Sequence, residues 1–520
     1  MNDLCICFRY YQRLLLFVLV SCLTALPALA QSTRYVSTTG ITSNPLSATS
    51  WATSTTDLQG VVMASATNDQ IWVAAGTYKP TPGSNRSMSF SMKNGVAIYG
   101  GFLGIETALN QRPTINLTTP SGTTLSGDVG IPDNPTDNSF HVINNPAGLT
   151  TTALLNGFVI FGGNTSGVFP DYYGGGMYNN GSGAGNSCSP TVVNCLFINN
   201  SAAEGGALYN NGNAAGNSNA QLIDCVFRSN TATSFGGAVI NDGGIGGTNS
   251  ARFTNCLFQN NTAPTGSGGA VYNFGQNGSS TPRFINCSFL NNAAPNGGAI
   301  YNDGSSNGIS NPQLTNCSFL NNTATTGGAI VNYTIGGGIS NPQLINCVLF
   351  SNGGANTIAN TSATLTAQYS LFEPSVTGYV SGPGNLTTTI SPFASATSTQ
   401  LKNGSPPVNA GDPTTTSATV GTLDLAGNPR FFANAGMPAG RIDMGAYELQ
   451  ETLEIYSLRN GDWNDSSVWS VERLPQLSER VRLNHLITIP ANYSASGGTL
   501  IYNPASKLIY GSGGKLQMGQ

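Results

Sequence analysis

Charge is what this sequence most lacks, since only 8% of its 520 residues are Asp, Glu, Lys or Arg. Between residues 113 and 401 there is no lysine, and the only arginines there are Arg228, Arg252 and Arg283. The formal net charge is −4 with no basic block, which argues against nucleic acid as a partner because phosphate backbones bind clustered Lys and Arg. Hydrophobic residues still make up 39% of the chain, so the scarcity of charge does not predict disorder.

Long apolar runs are also missing, except at the N-terminus. Arg9 and Arg13 precede the apolar stretch Leu14–Val20, and Ala28-Leu29-Ala30 offers a small-x-small cleavage site. This pattern predicts a signal peptide over residues 1–30 and an exported protein. The residues before Cys22 also resemble a bacterial lipoprotein site, so anchoring through Cys22 is a second interpretation. No later run reaches 18 apolar residues, which predicts no transmembrane helix in the mature chain.

The sequence does contain a repeated motif, Asn/Asp-Cys-x-Phe/Leu, which occurs six times between residues 194 and 349. Its cysteines are 30 or 31 residues apart and its aromatic position is Phe in the first five copies. The cysteines are Cys195, Cys225, Cys256, Cys287, Cys317 and Cys347, and the phenylalanines are Phe197, Phe227, Phe258, Phe289 and Phe319. A fixed period of this length predicts a solenoid, in which each unit buries its apolar face against its neighbours.

Within one repeat, residues 192–197 predict a strand whose second, fourth and sixth positions are buried. Three residues past each Phe stands an Asn, such as Asn200, which we expect to form a hydrogen-bonded column at a left-handed corner. The Gly-Gly before Ala207 predicts a sharp turn. The apolar first position of the window breaks strict alternation, and we interpret it as an inward bend. With no helical periodicity in the loops, the repeat predicts one turn of a parallel β-helix.

Seven cysteines remain after the expected cleavage. One cysteine per repeat at constant phase predicts a column of small buried thiols. Neighbouring coils are about 4.8 Å apart, which is within disulfide range, but stacked parallel side chains rarely have the torsion that a disulfide needs. Free thiols are therefore expected, with bridging as the alternative, and Cys188 is the odd residue with Cys195 as its nearest candidate partner.

The motifs Phe-x-x-Asn and Gly-Gly-Ala-Ile/Leu resemble bacterial surface proteins with polymorphic outer membrane protein repeats, within the pectin-lyase-like right-handed β-helices. Ile71–Tyr78 resembles the opening coils of such proteins. The stretch Ile442–Glu448 is similar to a closing segment called choice-of-anchor Q. The resemblance implies an all-β, single-stranded right-handed parallel β-helix with a small β-rich C-terminal extension. The implied divisions are a signal peptide (1–30), an N-terminal cap with the first coils (31–165), regular repeats (166–404), a C-terminal cap (405–450) and a small β-rich module (451–520).

Ionisable side chains are concentrated in two places. Asp128, Asp133 and Asp137, followed by His141, lie among Gly, Pro and Asn, where they predict a turn network, with a Ca²⁺ site or catalysis as alternatives. The second concentration follows the last coil and predicts salt bridges over the open end of the helix. Its members are Asp424, Arg430, Asp443 and Glu448.

No nucleophile motif, metal-ligand cluster or phosphate loop is recognisable, so no cofactor is expected beyond the Ca²⁺ alternative. We expect an exported, non-catalytic scaffold for display, adhesion or glycan binding at a bacterial cell surface or outer membrane. Its expected partners are a surface polysaccharide or a host or neighbouring cell. A polysaccharide lyase or glycoside hydrolase on the same fold is the alternative. A groove lined by acids together with Lys or Arg would favour the enzyme.

Overall fold

The computed structural model describes residues 31–115, 122–165, 171–432, 441–450, 455–470, 473–475 and 480–518. The predicted signal peptide and the lipoprotein alternative at Cys22 lie outside these residues. Within them, the chain coils through three long parallel sheets, as predicted for a right-handed parallel β-helix. The fold prediction is therefore confirmed.

The first sheet has twelve strands in the described residues, each paired in parallel with the equivalent strand of the next coil. Its strands are Thr33–Val36, Gln70–Ala74, Ala97–Phe102, Leu154–Asn156, Thr191–Val193, Gln221–Ile223, Arg252–Thr254, Arg283–Ile285, Gln313–Thr315, Gln343–Ile345, Thr366–Gln368 and Val380–Ser381.

The second sheet follows the first after one corner and has eleven described strands. They are Gly76–Tyr78, Thr123–Ser126, Val159–Phe161, Leu196–Ile198, Val226–Arg228, Leu257–Gln259, Ser288–Leu290, Ser318–Leu320, Val348–Phe350, Leu371–Phe372 and Leu386–Thr387.

The third sheet closes the coil after the Gly-Gly turn and has eight described strands. They are Ile143–Asn145, Met177–Asn180, Leu208–Asn211, Val239–Asp242, Val271–Phe274, Ile300–Asp303, Ile330–Tyr333 and Ile358–Thr361. Short parallel pairings extend the coil corners at Ser201–Glu204 with Thr231–Phe235, and at Thr248–Asn249, Ser279–Ser280 and Ile309–Ser310.

The predicted strand over residues 192–197 is wrong, because the chain turns in its middle. Asn194 has φ of +50°, so the left-handed corner divides the window between the first and second sheets. Val192 then points inward with Cys195 and Phe197, whereas Val193 is half-buried. The apolar first position is thus an ordinary core position of the preceding strand.

The second left-handed corner lies one residue earlier than predicted. Asn199, with φ of +53°, makes the turn, and Asn200 uses its buried side chain for the column. The first glycine of each Gly-Gly pair does adopt positive φ, as at Gly205 with +65°. There a side chain would be strained by its backbone conformation and would also approach the carbonyl of Leu208.

The core is a set of side-chain columns parallel to the helix axis. The repeat phenylalanines are fully buried and stack with ring centroids 4.7–4.9 Å apart, in the order Phe197, Phe227, Phe258, Phe289 and Phe319. The repeat cysteines form a neighbouring column of buried free thiols, and Cys188 is also free. Each thiol faces backbone carbonyls, as Cys225 does with those of Val192 at 3.5 Å and Ile223 at 3.3 Å.

Two buried asparagine ladders run beside these columns. In the first, each Nδ2 donates to the next Oδ1 at 2.9–3.1 Å, through Asn200, Asn230, Asn261, Asn292, Asn322 and Asn352. The second passes through Asn145, Asn179, Asn210, Asn241, Asn273, Asn302, Asn332 and Asn360 at 2.8–3.0 Å. Since buried polar groups are costly unless paired, these continuous ladders fix both the register and the coil spacing.

Near the N-terminus, a helix at Leu58–Ala64 packs Leu58, Val61 and Val62 against the core of the first coils. Its N-cap is Asp57, whose carboxylate accepts a hydrogen bond from the Gly60 amide at 2.8 Å. The other described helical segments are the α-helix Ser417–Val420 and the 3₁₀ turns Pro45–Ser47, Trp51–Thr53, Leu109–Gln111, Pro135–Asp137, Gly354–Asn356 and Ser466–Val468. In the part of the chain that the structure describes, no helix has the length and apolar character needed to cross a membrane.

The C-terminal residues form a second, smaller stack of parallel strands with its own core. One sheet contains Ile455–Tyr456, Arg480–Leu483 and Thr499–Tyr502; a second contains Gly461–Asp462, Leu486–Ile489 and Lys507–Tyr510; and a third contains Ser494–Gly497 and Lys515–Met518. Trp463 and Trp469 are buried in its centre, 4.9 Å apart at an edge-to-face angle. The small β-rich module expected here is therefore itself solenoidal.

Candidate functional site

A segment that follows the last coil lies along the side of the β-helix. This lateral segment comprises residues 393–432 and 441–450, and begins with the antiparallel hairpin Phe393–Ser395 and Ser398–Leu401. Thr399 Oγ1 lies 2.6 Å from Ser288 Oγ, and the Ala446 amide donates to Ser318 Oγ at 3.0 Å. These contacts lie on successive coils rather than at one end.

The prediction that residues 405–450 cover the open end of the helix is therefore wrong in its placement. The physical reason is an apolar stripe on the outer face of the second sheet. Phe393, Leu401 and Met444 of the lateral segment cover it, and its members are Leu290, Leu320, Val348 and Leu371. At the C-terminal end, Tyr379 packs against the main core and stacks on Phe372 with ring centroids 4.2 Å apart.

The four residues predicted to form the cap do meet, in one buried polar network inside the lateral segment. Arg430 is fully buried and donates from Nη2 to the Asp443 and Gly445 carbonyls, at 2.9 and 2.5 Å, with its Nε 3.7 Å from Glu448 Oε2. Asp443 accepts amide hydrogen bonds from Asn409 and Leu449, and Asp424 accepts one from Glu448. The network fastens Asp424 and Arg430 to residues 443–449 of the same segment.

Glu448 is the member of this network whose protonation is most perturbed. Burial, reinforced by the neighbouring Asp443, raises its pKa to about 9 and outweighs the attraction of Arg430. The raised pKa favours the neutral form of the carboxyl beside Arg430. The role of the network is to hold the segment in place.

A groove opens where this fastened segment passes the outer face of the first sheet. Its volume is about 440 Å³, and its floor includes Arg252, Arg283, Gln313 and Gln368. Three of these occupy the same position of consecutive coils, because Arg252 pairs with Arg283 and Arg283 with Gln313 in the sheet register. The next coil continues the column with Gln343. Coil spacing places neighbouring members about 5 Å apart.

The opposite wall of the groove comes from residues 412–419 of the lateral segment. Asp412 and Thr415 are anchored there by Asn346: the Asp412 amide donates to Asn346 Oδ1 at 2.6 Å, and Asn346 Nδ2 donates to Thr415 Oγ1 at 3.0 Å. Thr414 donates to the Asp412 carboxylate from both its amide and its hydroxyl, at 2.8 Å each. This carboxylate is therefore held in a turn at the rim.

The groove has an excess of positive charge. Among the described lining residues, Arg252 and Arg283 carry two positive charges and Asp412 carries one negative charge. The only hydrogen bond of the Arg252 side chain in the described chain is a long one, 3.4 Å from Nε to Thr254 Oγ1. The Arg283 side chain is exposed and forms no hydrogen bond or ion pair with any described residue. Both guanidinium groups are available to a ligand.

The acidic residues predicted near the start of the helix form hydrogen bonds within their turn and an ion pair with Lys79. Asp128 forms an ion pair with Lys79 at 3.4 Å and accepts the Asp133 amide, while Asp137 accepts the Ile131 amide at 2.9 Å. His141 is buried and its Nδ1 lies 3.1 Å from the Gly174 carbonyl oxygen. Across the described residues, no group of three or more His, Cys, Asp or Glu side chains converges in a way that would hold a metal ion.

Two acids near the third sheet were not predicted from the sequence: Asp242 in the sheet itself and Glu204 in the corner strand Ser201–Glu204. Burial, reinforced by Asp242, raises the pKa of Glu204 to about 7, and burial also raises the pKa of Asp242. Tyr209 donates to Asp242 Oδ2 at 2.8 Å within a stripe of tyrosines. The two acids lie in different coils. In the sequence they are marked only by their positions: Glu204 directly precedes a Gly-Gly turn, and Asp242 ends the strand that follows the next such turn.

Comparison with known proteins found the following similarities. The family model described as the Chlamydia polymorphic membrane protein repeat matches residues 194–211, 255–273 and 286–303. A solved structure titled "Crystal structure of pectate lyase Pel9A" is similar to 80% of this chain and 96% of that chain, with 12% sequence identity and a TM-score of 0.43. No curated protein matches the sequence.

The sheets and the matched repeats together define the class. The chain is a right-handed parallel β-helix with polymorphic membrane protein-type repeats. In this chain the lateral segment forms one wall of a polar groove on the first sheet.

Proposed function

We propose that this protein is an exported, non-catalytic β-helix that binds glycans at the cell surface. The observation that carries the proposal is the groove between the first sheet and the lateral segment, with its floor of guanidinium and carboxamide groups. Sugar hydroxyls require fixed donors and acceptors of this kind. The ladders that set the coil spacing also hold the floor rigid, so the cost of ordering these side chains on binding is low.

The predicted export signal and the matched repeat support the assignment to the cell surface. Residues 1–30 have the charge and apolar pattern of a cleaved signal. The family model that matches three of the coils is named for a membrane protein repeat. A rigid solenoid carrying a side groove suits display and adhesion, because its binding face does not need to rearrange.

A carbohydrate-active enzyme is the second candidate, and two observations favour it. The groove combines Arg252 and Arg283 with the carboxylate of Asp412. Elsewhere, the carboxyl groups of Glu204 and Asp242 interact electrostatically, and glycoside hydrolysis uses two carboxyl groups. However, Asp242 is 1% exposed and hydrogen bonded to Tyr209, so a sugar cannot reach it. In the groove, the Asp412 carboxylate already accepts hydrogen bonds from the Thr414 amide and hydroxyl. Binding is therefore the stronger proposal.

Purified protein comprising residues 31–520 should be tested on a glycan panel for both retention and release of shorter products. Retention without product release is expected. Ala418 lines the groove and is exposed, so Ala418→Trp should fill the groove without disturbing the core and should abolish retention. Product release that survives Ala418→Trp but is lost in Glu204→Gln would instead support a hydrolase at the third sheet.

A further inference from the structure

The groove is chemically different at its two ends. Arg252 and Arg283 lie on consecutive coils at one end, whereas Gln313 and Gln368 lie on later coils towards the other end. The first end offers two planar, permanently charged donors about 5 Å apart. The second offers neutral carboxamides that both donate and accept. A ligand lying along the axis therefore contacts guanidinium groups, which bind anions, at one end of the groove and carboxamides, which bind hydroxyls, at the other.

The position of the two arginines is not a general property of the chain's surface. Only three of its arginines lie between residues 113 and 401, with no lysine, and two of these three line the same groove in adjacent register. Arg228, the third, pairs with Ile198 and Gln259 in the second sheet and is not part of the groove lining. Two like charges stacked on neighbouring coils repel each other, so they cost stability in the unliganded protein.

An anion bound across both guanidinium groups relieves that repulsion. Carboxylates and sulfate or phosphate esters match the guanidinium fork, which can bind them through two parallel hydrogen bonds. The only carboxylate among the described lining residues, Asp412, is oriented by the Thr414 amide and hydroxyl. A single fixed carboxylate is a poor site for a bridging divalent cation, which takes several oxygen ligands.

We propose that the groove binds an acidic oligosaccharide, one bearing carboxylate or sulfate groups, by direct contact of its anionic groups with Arg252 and Arg283. This inference rests on the proposed glycan-binding function and adds the ligand's charge, its direction along the axis and its independence from divalent cations. The neutral sugars that follow the anionic unit lie over Gln313 and Gln368. Thr415 faces them from the lateral segment.

The test measures affinities of the 31–520 protein for a uronic acid oligosaccharide, a sulfated oligosaccharide, a neutral oligosaccharide of equal length and a polyglutamate peptide. Arg252→Gln and Arg283→Gln place in the column the residue that it already has at Gln313, so they preserve the local packing. Each should weaken acidic oligosaccharide binding about tenfold or more, the loss expected for a charge-assisted hydrogen bond. The uronic acid and sulfated arms distinguish the two sources of negative charge.

The matched control is Arg228→Gln, which removes the same charge outside the groove, next to Gln259 in the same position of the following coil. It should leave the affinity unchanged. Binding should also fall as NaCl is raised from 0.1 to 1 M, because the screening length drops from about 10 to about 3 Å. A chelator should have no effect, and loss of binding with EDTA would contradict direct recognition.

The outcomes separate this inference from the function on which it rests. Equal affinity for neutral and acidic oligosaccharides, unchanged in both arginine variants but abolished by Ala418→Trp, overturns the acidic-ligand inference and leaves glycan binding standing. Polyglutamate binding as tight as the acidic sugar overturns the carbohydrate part of the inference. Absence of binding to every glycan, with the protein folded by circular dichroism, overturns both proposals.

Discussion

The buried asparagine ladder makes a sharp prediction about Asn261→Asp, a change of nearly identical shape. Asn261 Nδ2 donates to Asn292 Oδ1 at 3.0 Å and to the Phe227 carbonyl at 2.9 Å, while its Oδ1 accepts from the amide and Nδ2 of Asn230. In N261D, an oxygen replaces the donor and faces two acceptors. With each orphaned buried group costing about 1–3 kcal/mol, the free energy of unfolding should fall by about 2–6 kcal/mol.

The neighbouring Asn260 provides the control. It is exposed, has φ of +56°, and Asp tolerates that left-handed conformation. N260D therefore makes the same chemical change at the surface, and its effect should stay within about 0.5 kcal/mol. Urea unfolding monitored by circular dichroism, with both variants compared at one pH, measures the difference.

The pH dependence of the same variant tests the physical reason. Burial should raise the pKa of the introduced carboxyl in the folded state above its unfolded value of about 3.9. The folded state then binds the proton more tightly, so stability falls as the pH rises above that value, and the deficit of N261D should shrink towards pH 4. Equal destabilisation by N260D and N261D, or a deficit that does not change with pH, would refute the role assigned to the ladder.

Three further outcomes follow from the packing. Phe258→Ala should lower the free energy of unfolding by about 3–5 kcal/mol in urea titrations. Phe258→Leu should lower it less, because Leu349 already occupies the same column of stacked side chains. Equal losses in the two variants would contradict the stacking. Because the pKa of Glu448 is raised from its ordinary value of 4.5 to about 9, the wild-type protein should lose thermal stability as the pH rises between these two values. Glu448→Gln should make the melting temperature depend less on pH between about pH 5 and 9. Deleting residues 393–520 should cause aggregation, because it uncovers the apolar stripe of the second sheet, whereas deleting residues 451–520 should not. Size-exclusion chromatography compares the two truncated proteins. A 31–392 fragment that elutes as a monomer would show that the stripe does not need this cover.

Part of the site was predictable because it repeats. Arg252 and Arg283 directly precede Phe253 and Phe284, which is the same position of two consecutive repeats, and the register places them side by side. Asp412 and Thr415 were not predictable as groove residues. They follow the repeats in sequence, and no periodic signal relates them to the coils that they contact. The pair Glu204 and Asp242 was missed for a similar reason, since its environment depends on how neighbouring coils stack.

The sequence by itself determined the coil. Every repeat contains the residues that one coil requires, with a period of 30 or 31 residues. These are an inward Phe or Leu, an inward Cys, a buried Asn and a Gly-Gly turn. The tertiary structure decided what happens on the outer surface. Outward residues such as Leu290 and Leu320 give no sign of their cover until the lateral segment folds back against them. The physical reason is that stacking repeats the same short-range contacts in every coil, whereas the lateral segment and its groove depend on single long-range contacts that no repeat encodes.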